Sequence, residues 1–317
     1  TVSRSPCCGR IESPHAWPSK RHHSLNNTFN TGHTMRVDCH IHFWEMGSAY
    51  PNEAQRFDVL KQSFMPPDLA PQMQACGIDR VVLVQAARMV EETRYYLDLA
   101  ERHEQVGAVV GWVDLEAPDV PETLQALRTH SGYLQGIREV IQSLPDKRWF
   151  LRPAVIEGLK AIREADLVWE FLTLSSQMMD SLKALEQVPG LRTVYDHSCK
   201  PEVAQQEWEP WAGAVHEIGA NTDAAVKLSG LCEMLDGSPL TNEQRVEHFK
   251  PYVGHLLEHF GPRRVLFATN WPVVHRGGCD YAGWWQTVNT LLDDFGIQGA
   301  ERDGILGENA AGVYRVR

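Results

Sequence analysis

The chain has 317 residues, of which 43% are hydrophobic, enough for one large domain or two ordinary ones. Its formal net charge of −11, without a dense basic stripe, argues against an extended nucleic-acid footprint. No apolar run reaches the roughly 18 residues that a membrane-spanning helix needs, so we expect a soluble protein without a membrane partner.

The cysteines suggest a cellular compartment. Seven are scattered along the chain, apart from the adjacent Cys7 and Cys8. They show neither a disulfide framework nor the Cys-x-x-Cys spacing of a zinc site. This pattern favours a reducing environment, and we predict a cytoplasmic protein.

The first 34 residues differ in composition from the rest. They are rich in Ser, Arg, His and Pro, contain one acidic residue and have no sustained apolar period, and Met35 stands directly before the first predicted strand. We predict that residues 1–34 are a disordered leader, either a translated upstream segment or a vector-derived one, with a transit peptide as the alternative. Residues 35–317 are predicted to form one barrel domain.

From Met35 onward, short β-branched apolar runs recur, and each is followed by a stretch with helical character. Eight such runs alternating with helices predict a parallel sheet, and eight strands can close into an α/β barrel. An open doubly wound sheet would also alternate, but no Gly-x-Gly-x-x-Gly turn follows the first strand. The predicted strands are 36–42, 80–85, 108–113, 135–138, 168–173, 192–197, 225–229 and 264–270.

Polar side chains stand at the ends of several predicted strands. His40 and His42 end the first strand, Arg138 the fourth, His197 the sixth and Asn270 the eighth. Barrel enzymes build their active sites at the carboxyl ends of the strands. Residues 40 and 42 point the same way because side chains alternate along a strand. The pattern therefore predicts an active site at this end of the barrel.

Three imidazoles from distant parts of the chain are expected to meet there. His40, His42 and His197 could hold zinc or a similar divalent ion and leave a position open for water. The set indicates a metal or proton-transfer site. By alternation, Asp196 is predicted to turn away from it, and Lys227 is expected to be solvated.

Two further predictions rest only on the positions of residues in the sequence. His255 and His259, four residues apart, are predicted to lie on an exposed helix face rather than in a site. The pocket walls are predicted to come from the loops 44–66, 141–153 and 231–245, of which the first is long and contains aromatic residues and Pro.

Several segments of the chain carry a family resemblance. In chain order they are VDCHIHFW, QGIREVIQ, WFLRPAVIEGLKAI, YDHSCKP, VKLSGL, LLEHFGPRRVLFATNWPV and ILGENAAGVYRV. Together they resemble the amidohydrolase-related lactonases, the group that includes L-fuconolactone and L-rhamnonolactone hydrolases. The resemblance implies a distorted (β/α)8 TIM barrel that hydrolyses a sugar-acid lactone in carbohydrate-acid metabolism, with a divalent metal or none. It also implies that His40, His42, His197 and residue 270 line the active site.

The chain departs from this family at residue 270. Family members commonly have an Asp in the sequence SDWPV, whereas this chain reads TNWPV and carries Asn270. A carboxamide has no useful basicity near neutral pH. Three explanations are open: an engineered Asp→Asn substitution that traps a substrate, a natural Asn-bearing branch that uses another base, or loss of catalysis with retention of binding.

The predicted reaction is attack of water on the ester carbonyl of a lactone ring. A divalent ion on the three histidines would lower the pKa of bound water and polarise the carbonyl. Without a metal, the imidazoles would donate hydrogen bonds and move protons. Arg138 and Lys200 are predicted to bind a substrate carboxylate or hydroxyl, with Arg138 in bidentate geometry. Trp44 and Trp271 are predicted to form the pocket floor.

Two alternatives belong to other functional classes. A related group of barrels, also with His-x-His and an acid on the eighth strand, decarboxylates aromatic acids with zinc. A catalytically impaired protein that binds the lactone is the second alternative, because Asn270 cannot act as a base. The ordered set of segments favours the lactonases over the decarboxylases.

Overall fold

The computed structural model describes residues 34–50, 52–235 and 237–317, so the predicted leader, apart from Thr34, lies outside the described residues. Each predicted strand is present within them, although all except β4 end one to three residues earlier than predicted. The eight strands are β1 Val37–Ile41, β2 Arg80–Val84, β3 Val106–Gly111, β4 Leu134–Glu139, β5 Val168–Phe171, β6 Arg192–Tyr195, β7 Ala225–Leu228 and β8 Val265–Phe267.

Helices follow the strands along the chain, and none of those described is both long and apolar enough to cross a membrane. Two short helices flank a π-helical turn, Gly304–Glu308, near the carboxyl terminus. The helices are α1 Pro66–Cys76, α2 Val90–Arg102, α3 Val120–His130, α4 Pro153–Glu164, α5 Met178–Gln187, α6 Trp211–Asn221, α7 Asn242–Phe260, α8 Tyr281–Asp294, α9 Gly299–Asp303 and α10 Asn309–Tyr314.

The strands pair in sequence order, each parallel to the next. The segment after β8 returns to β1, where Asn270 N donates to His40 O at 2.9 Å and His42 N donates to Trp271 O at 2.8 Å. These bonds join the two ends of the sheet. The predicted distorted (β/α)8 TIM barrel is confirmed.

Two apolar layers hold the barrel together. The larger layer lies between the strands and the helices and contains Val81, Leu83 and Phe267. The smaller one uses alternate strand positions, such as Val82, Val84 and Ala108. Small side chains suit this second layer because the interior of an eight-stranded barrel is narrow. Strands buried on both faces explain the nearly continuous apolar runs in the sequence.

Candidate active site

The two histidines of the first strand face the inside of the barrel because β1 changes register. The pairing of β1 with β2 shifts between Asp38 and Ile41. Cys39 therefore belongs to the inner layer, and Ile41 to the outer one. The shift turns both His40 and His42 inward. Their Nε2 atoms lie 3.2 Å apart.

His197 reaches the same place by a turn rather than by strand alternation. The strand β6 ends at Tyr195, and residues 197–200 all have positive φ. The His197 ring centroid lies 4.5 Å from that of His40. Gly230 packs directly beneath His197, since a Cβ at residue 230 would lie 2.4 Å from the His197 Cβ.

The predicted orientation of Asp196 is wrong. Val194 belongs to the inner layer. Asp196, two residues further along, points to the same side and is also directed inward. It is buried and pairs with Arg138 Nη1 through Oδ2 at 3.0 Å and with Lys227 Nζ through Oδ1 at 3.1 Å. The alternation rule was applied from His197, which lies beyond the end of the strand.

Lys227 is not solvated, as the sequence suggested, but fully buried beneath the histidines. Its Nζ lies 2.6 Å from Glu170 Oε1 and 3.0 Å from His40 Nδ1. Tyr314 donates a 2.5 Å hydrogen bond to the same Glu170 oxygen. With Asp196, these groups form a buried charged layer in which each ion has a partner of opposite sign, as burial of charge requires.

Arg138 connects this charged layer to the histidines. Its Nη1 lies 3.1 Å from His40 Nε2, and its Nη2 donates to Gln85 O at 2.6 Å. The Nη1 atom also pairs with Asp196, so both terminal nitrogens have protein partners. Only the edge formed by Nε and the second Nη2 hydrogen is left for the bidentate contact with substrate predicted for Arg138. Its Nε finds no hydrogen-bond partner among the described residues.

All three imidazoles are neutral near pH 7. Burial lowers the pKa of His42 to about 3, with Arg138 adding to the effect. Burial also lowers the pKa of His40 and of His197 well below the usual range. For Asp196 burial acts to raise the pKa, but Lys227 and His40 outweigh it and hold that pKa well below its usual value. The site therefore combines neutral bases with a fixed anion.

The hydrogen bonds of the imidazoles indicate which nitrogens are free. His42 Nδ1 lies 2.7 Å from Val84 O. A carbonyl oxygen only accepts, so Nδ1 carries the proton and Nε2 has a free lone pair. His197 Nδ1 lies 3.0 Å from Ser229 Oγ, so that its Nε2 is the atom left for a ligand.

A cavity of about 500 Å³ opens above these groups. His40 lies beneath it, and Trp271 does not reach it, because Trp271 packs edge-on against Phe43 and Phe64. The predicted site residues that do line it are His42, Trp44, Arg138, His197, Lys200 and Asn270. Other lining residues include Arg56, Phe57, Arg88, Gln142, Leu172, Glu233 and Arg276.

Glu233 is a site residue that the sequence reasoning missed, although it lies in the predicted wall loop 231–245. It belongs to the turn Cys232–Met234 after β7 and is only 5% exposed. Asn270 Nδ2 donates to Glu233 Oε1 at 2.6 Å. The other oxygen of each group, Glu233 Oε2 and Asn270 Oδ1, has no partner among the described residues. Burial raises the pKa of Glu233.

The donor set is chemically suited to a divalent ion. One ligand atom from each of His40, Asp196 and His197 can lie within 4.8 Å of the others. The separation of 3.2 Å between His40 Nε2 and His42 Nε2 is also close to that of two nitrogens on one zinc ion. An ion there would have to share His40 with the neighbouring Lys227 and Arg138 cations.

Neutral bases and a fixed guanidinium at the carboxyl ends of barrel strands can activate water and stabilise an oxyanion. This arrangement defines a hydrolytic barrel enzyme. The chain belongs to the amidohydrolase family, which matches residues 37–316.

Similar proteins agree with this assignment. The L-fucono-1,5-lactonase of Burkholderia ambifaria is 34% identical over 89% of this chain and 96% of its own length. An amidohydrolase crystal structure from Burkholderia multivorans, with bound zinc, is 28% identical with a TM-score of 0.81, covering 89% of this chain and all of that one. The predicted resemblance to the amidohydrolase-related lactonases is confirmed.

A 2,6-dihydroxybenzoate decarboxylase, complexed with 2,6-dihydroxybenzoate, is a more distant likeness. It is 14% identical with a TM-score of 0.58, and the match covers 90% of this chain and all of that one. Such a likeness shows the barrel fold alone. It does not favour the decarboxylase alternative.

Proposed function

We propose that the protein opens the lactone ring of a sugar acid by attack of water on the ring ester carbonyl. The observation that carries the proposal is the Arg138 guanidinium on the cavity wall, beside the neutral imidazoles of His42 and His197. Its buried Nε–H has no partner among the described residues. The 34% identity to an L-fucono-1,5-lactonase supports the same substrate class.

Arg138 would stabilise the oxyanion that forms when water adds to the carbonyl. Its guanidinium remains charged at any working pH. Asp196 and Gln85 O hold it in place, so little reorganisation is needed as charge develops. The Nε–H would donate to the oxyanion, and loss of such a donor typically costs about 10²- to 10³-fold in kcat.

His42 and His197 would bind the oxygens of the lactone. Their lowered pKa values keep both rings neutral. A neutral imidazole can accept a hydrogen bond from a sugar hydroxyl at its free nitrogen. His40, beneath the cavity, would help to position Arg138, whose Nη1 lies 3.1 Å from His40 Nε2.

The cavity suits a monosaccharide lactone in size and chemistry. Its volume of about 500 Å³ lies within the range of small-molecule sites. Trp44, Phe57 and Leu172 offer an apolar wall for the carbon skeleton. Lys200 and Arg276, which also line it, would attract the carboxylate that ring opening creates.

A divalent ion, if bound, would be held by His40, His42 and His197 and would supply Lewis acidity. Zinc is the ion in the Burkholderia multivorans structure. Lys227 and Arg138 lie within hydrogen-bond distance of the two ring nitrogens of His40 and would compete with an ion for that ring. We therefore propose that lactone opening does not depend on a metal.

A cytoplasmic location is part of the proposal. The cysteines at 39, 76, 199, 232 and 279 are all free and buried. Unpaired cysteines are typical of a reducing compartment.

The test is a screen of γ- and δ-lactones of sugar acids with a pH indicator, corrected for spontaneous hydrolysis. We expect at least one lactone to be opened, and Arg138→Ala to lower kcat/KM by at least about 10²-fold. Arg152→Ala, at an exposed ion pair with Glu116, is the control and should keep wild-type activity.

Two other results would contradict the proposal. Release of carbon dioxide from 2,6-dihydroxybenzoate, without opening of any lactone, would favour the decarboxylase alternative. Calorimetric binding of a lactone without turnover would favour the binding protein.

A further inference from the structure

The departure at residue 270 leaves a hydrolase without the carboxylate expected on its eighth strand. Among the described residues that line the cavity, Glu233 alone carries a carboxyl group. Its Oε1 lies 2.6 Å from the amide nitrogen of Asn270. The carboxylate is thus displaced from β8 to the turn after β7 and remains in contact with the residue that replaced it.

We propose that Glu233 is the general base of lactone opening and that Asn270 orients both Glu233 and the attacking water. This inference rests on the proposed function. It selects the second of the three explanations for Asn270, a branch that uses another base.

The contact between the two side chains determines the roles of their oxygens. Asn270 Nδ2 donates to Glu233 Oε1, which fixes the orientation of the amide group. The remaining oxygens, Asn270 Oδ1 and Glu233 Oε2, are buried acceptors without a partner among the described residues. Buried polar atoms normally have a partner. A water molecule that donates one hydrogen to each oxygen would satisfy both.

Such a water would also be prepared for reaction. Its two hydrogens are held by the two acceptors, so that a lone pair of its oxygen remains directed away from both. Burial raises the pKa of Glu233, and a carboxylate with a raised pKa is a stronger base than a solvated one. Asn270 contributes orientation, for which an amide needs no basicity.

The chemical step balances with these two residues and the oxyanion donor. The water oxygen forms a bond to the carbonyl carbon while Glu233 Oε2 takes one of its protons, and the carbonyl π electrons move to the oxygen near Arg138. When the oxyanion collapses, the bond between that carbon and the ring oxygen breaks. Glu233 returns the proton to the departing ring oxygen, which gives the open hydroxy acid.

Two other buried carboxylates, beneath the histidines, are committed elsewhere. Asp196 pairs with Arg138 and Lys227, and these cations make it a weak base. Glu170 accepts from Lys227 and Tyr314. Neither of them lines the cavity.

The experiment compares wild type, Glu233→Gln and the double variant Glu233→Gln/Asn270→Asp, each as the full chain. The double variant exchanges amide and carboxylate, so their mutual hydrogen bond is kept while the base moves to residue 270. Glu116→Gln, an exposed substitution of the same kind, is the control. Thermal unfolding and calorimetric binding of the hydroxy-acid product check that each protein is folded with an intact pocket.

We expect Glu233→Gln to lower kcat by about 10²-fold or more with little change in KM. The kcat of the double variant should be at least about tenfold higher than that of Glu233→Gln. Wild-type kcat in Glu233→Gln would overturn the proposal. The proposal would also be overturned if the double variant had the same low kcat as Glu233→Gln while both proteins fold and bind product normally. Glu233 would then have only a structural role.

Failure of the proposed function gives a different result. In that case, wild type itself opens no lactone in the screen, and the role of Glu233 in ring opening falls with it. If wild type is active, the comparison of the variants decides on Glu233 alone.

Discussion

Lys200 lies on the cavity wall, where its Nζ donates to Gln142 Oε1 at 2.5 Å. Burial lowers the pKa of Lys200 to about 8, against a smaller opposing effect of Glu233. The side chain is therefore charged below about pH 8 and loses its proton as the pH rises through that value. If the ammonium group binds the substrate, activity must follow its charge.

We predict that kcat/KM falls as the pH rises through about 8, and that Lys200→Arg moves this limb to higher pH. Arginine keeps its charge because its pKa lies above 12. The measurement is the pH profile of kcat/KM, corrected for spontaneous lactone hydrolysis, with the exposed substitution Lys183→Arg as control. An alkaline limb that is unchanged in Lys200→Arg would assign it to another group.

At the residue scale, the sequence predicted which histidines belong to the site better than it predicted their partners. His40, His42 and His197 stand out because imidazoles at strand ends are unusual in apolar runs. Asp196 was placed on the wrong side because the strand was assumed to continue to residue 197. Glu233 was missed because an acidic residue in a loop is ordinary, and only the folded chain brings it against Asn270.

Among the elements, the junction of β1 with the segment after β8 is reinforced by one side chain in addition to its two backbone hydrogen bonds. Asp38 accepts hydrogen bonds from Thr269 N at 3.0 Å, Thr269 Oγ1 at 2.6 Å and His40 N at 3.1 Å. His40 follows Asp38 by two residues and Asn270 follows Thr269 directly, and both belong to the candidate site. Asp38 is thus a positioning residue that holds the first and last strands together.

We predict that Asp38→Ala lowers the free energy of unfolding by about 3 kcal/mol or more, because each buried N–H left without a partner costs about 1–3 kcal/mol. Thr269→Val removes the hydroxyl bond to Asp38 and also the acceptor of Trp271 N, which donates to the same hydroxyl at 3.0 Å. It should therefore cost about 1–3 kcal/mol. Urea denaturation at pH 7 measures both. A loss below about 1 kcal/mol in Asp38→Ala would mean that water replaces the missing acceptor.

The strands were predictable as elements, but the direction of their side chains was not. Strands buried on both faces give continuous apolar runs without an alternating pattern. The sequence therefore does not show which alternate residues of a strand face the inside of the barrel. Two local features then decide which residues face inward. They are the register shift within β1 and the positive φ values at residues 197–200.

For the whole molecule, eight repeats of strand and helix were enough to predict the barrel. The charged layer inside it was not predictable, because its members come from β4, β5, β7 and the end of β6. Arg138, Glu170, Asp196 and Lys227 meet only when the sheet has closed. This layer also bears on metal dependence, since it places two cations against His40.

We predict that removal of divalent ions with a chelator changes kcat/KM by less than about threefold, because Lys227 and Arg138 already occupy the two ring nitrogens of His40 and compete with an ion for them. Elemental analysis before and after chelation should accompany the assay. His255, Glu258 and His259 form a second group of possible ligands on α7, with His216 Nδ1 3.3 Å from His259 Nδ1.

This second group could retain zinc that has no role in catalysis, so the control is the variant His255→Ala/His259→Ala. We expect it to bind less zinc and to keep wild-type kcat/KM, since the group lies on α6 and α7, outside the cavity. Loss of activity on chelation in this variant, restored by one equivalent of zinc, would show that the three cavity histidines hold a catalytic ion despite the neighbouring charges.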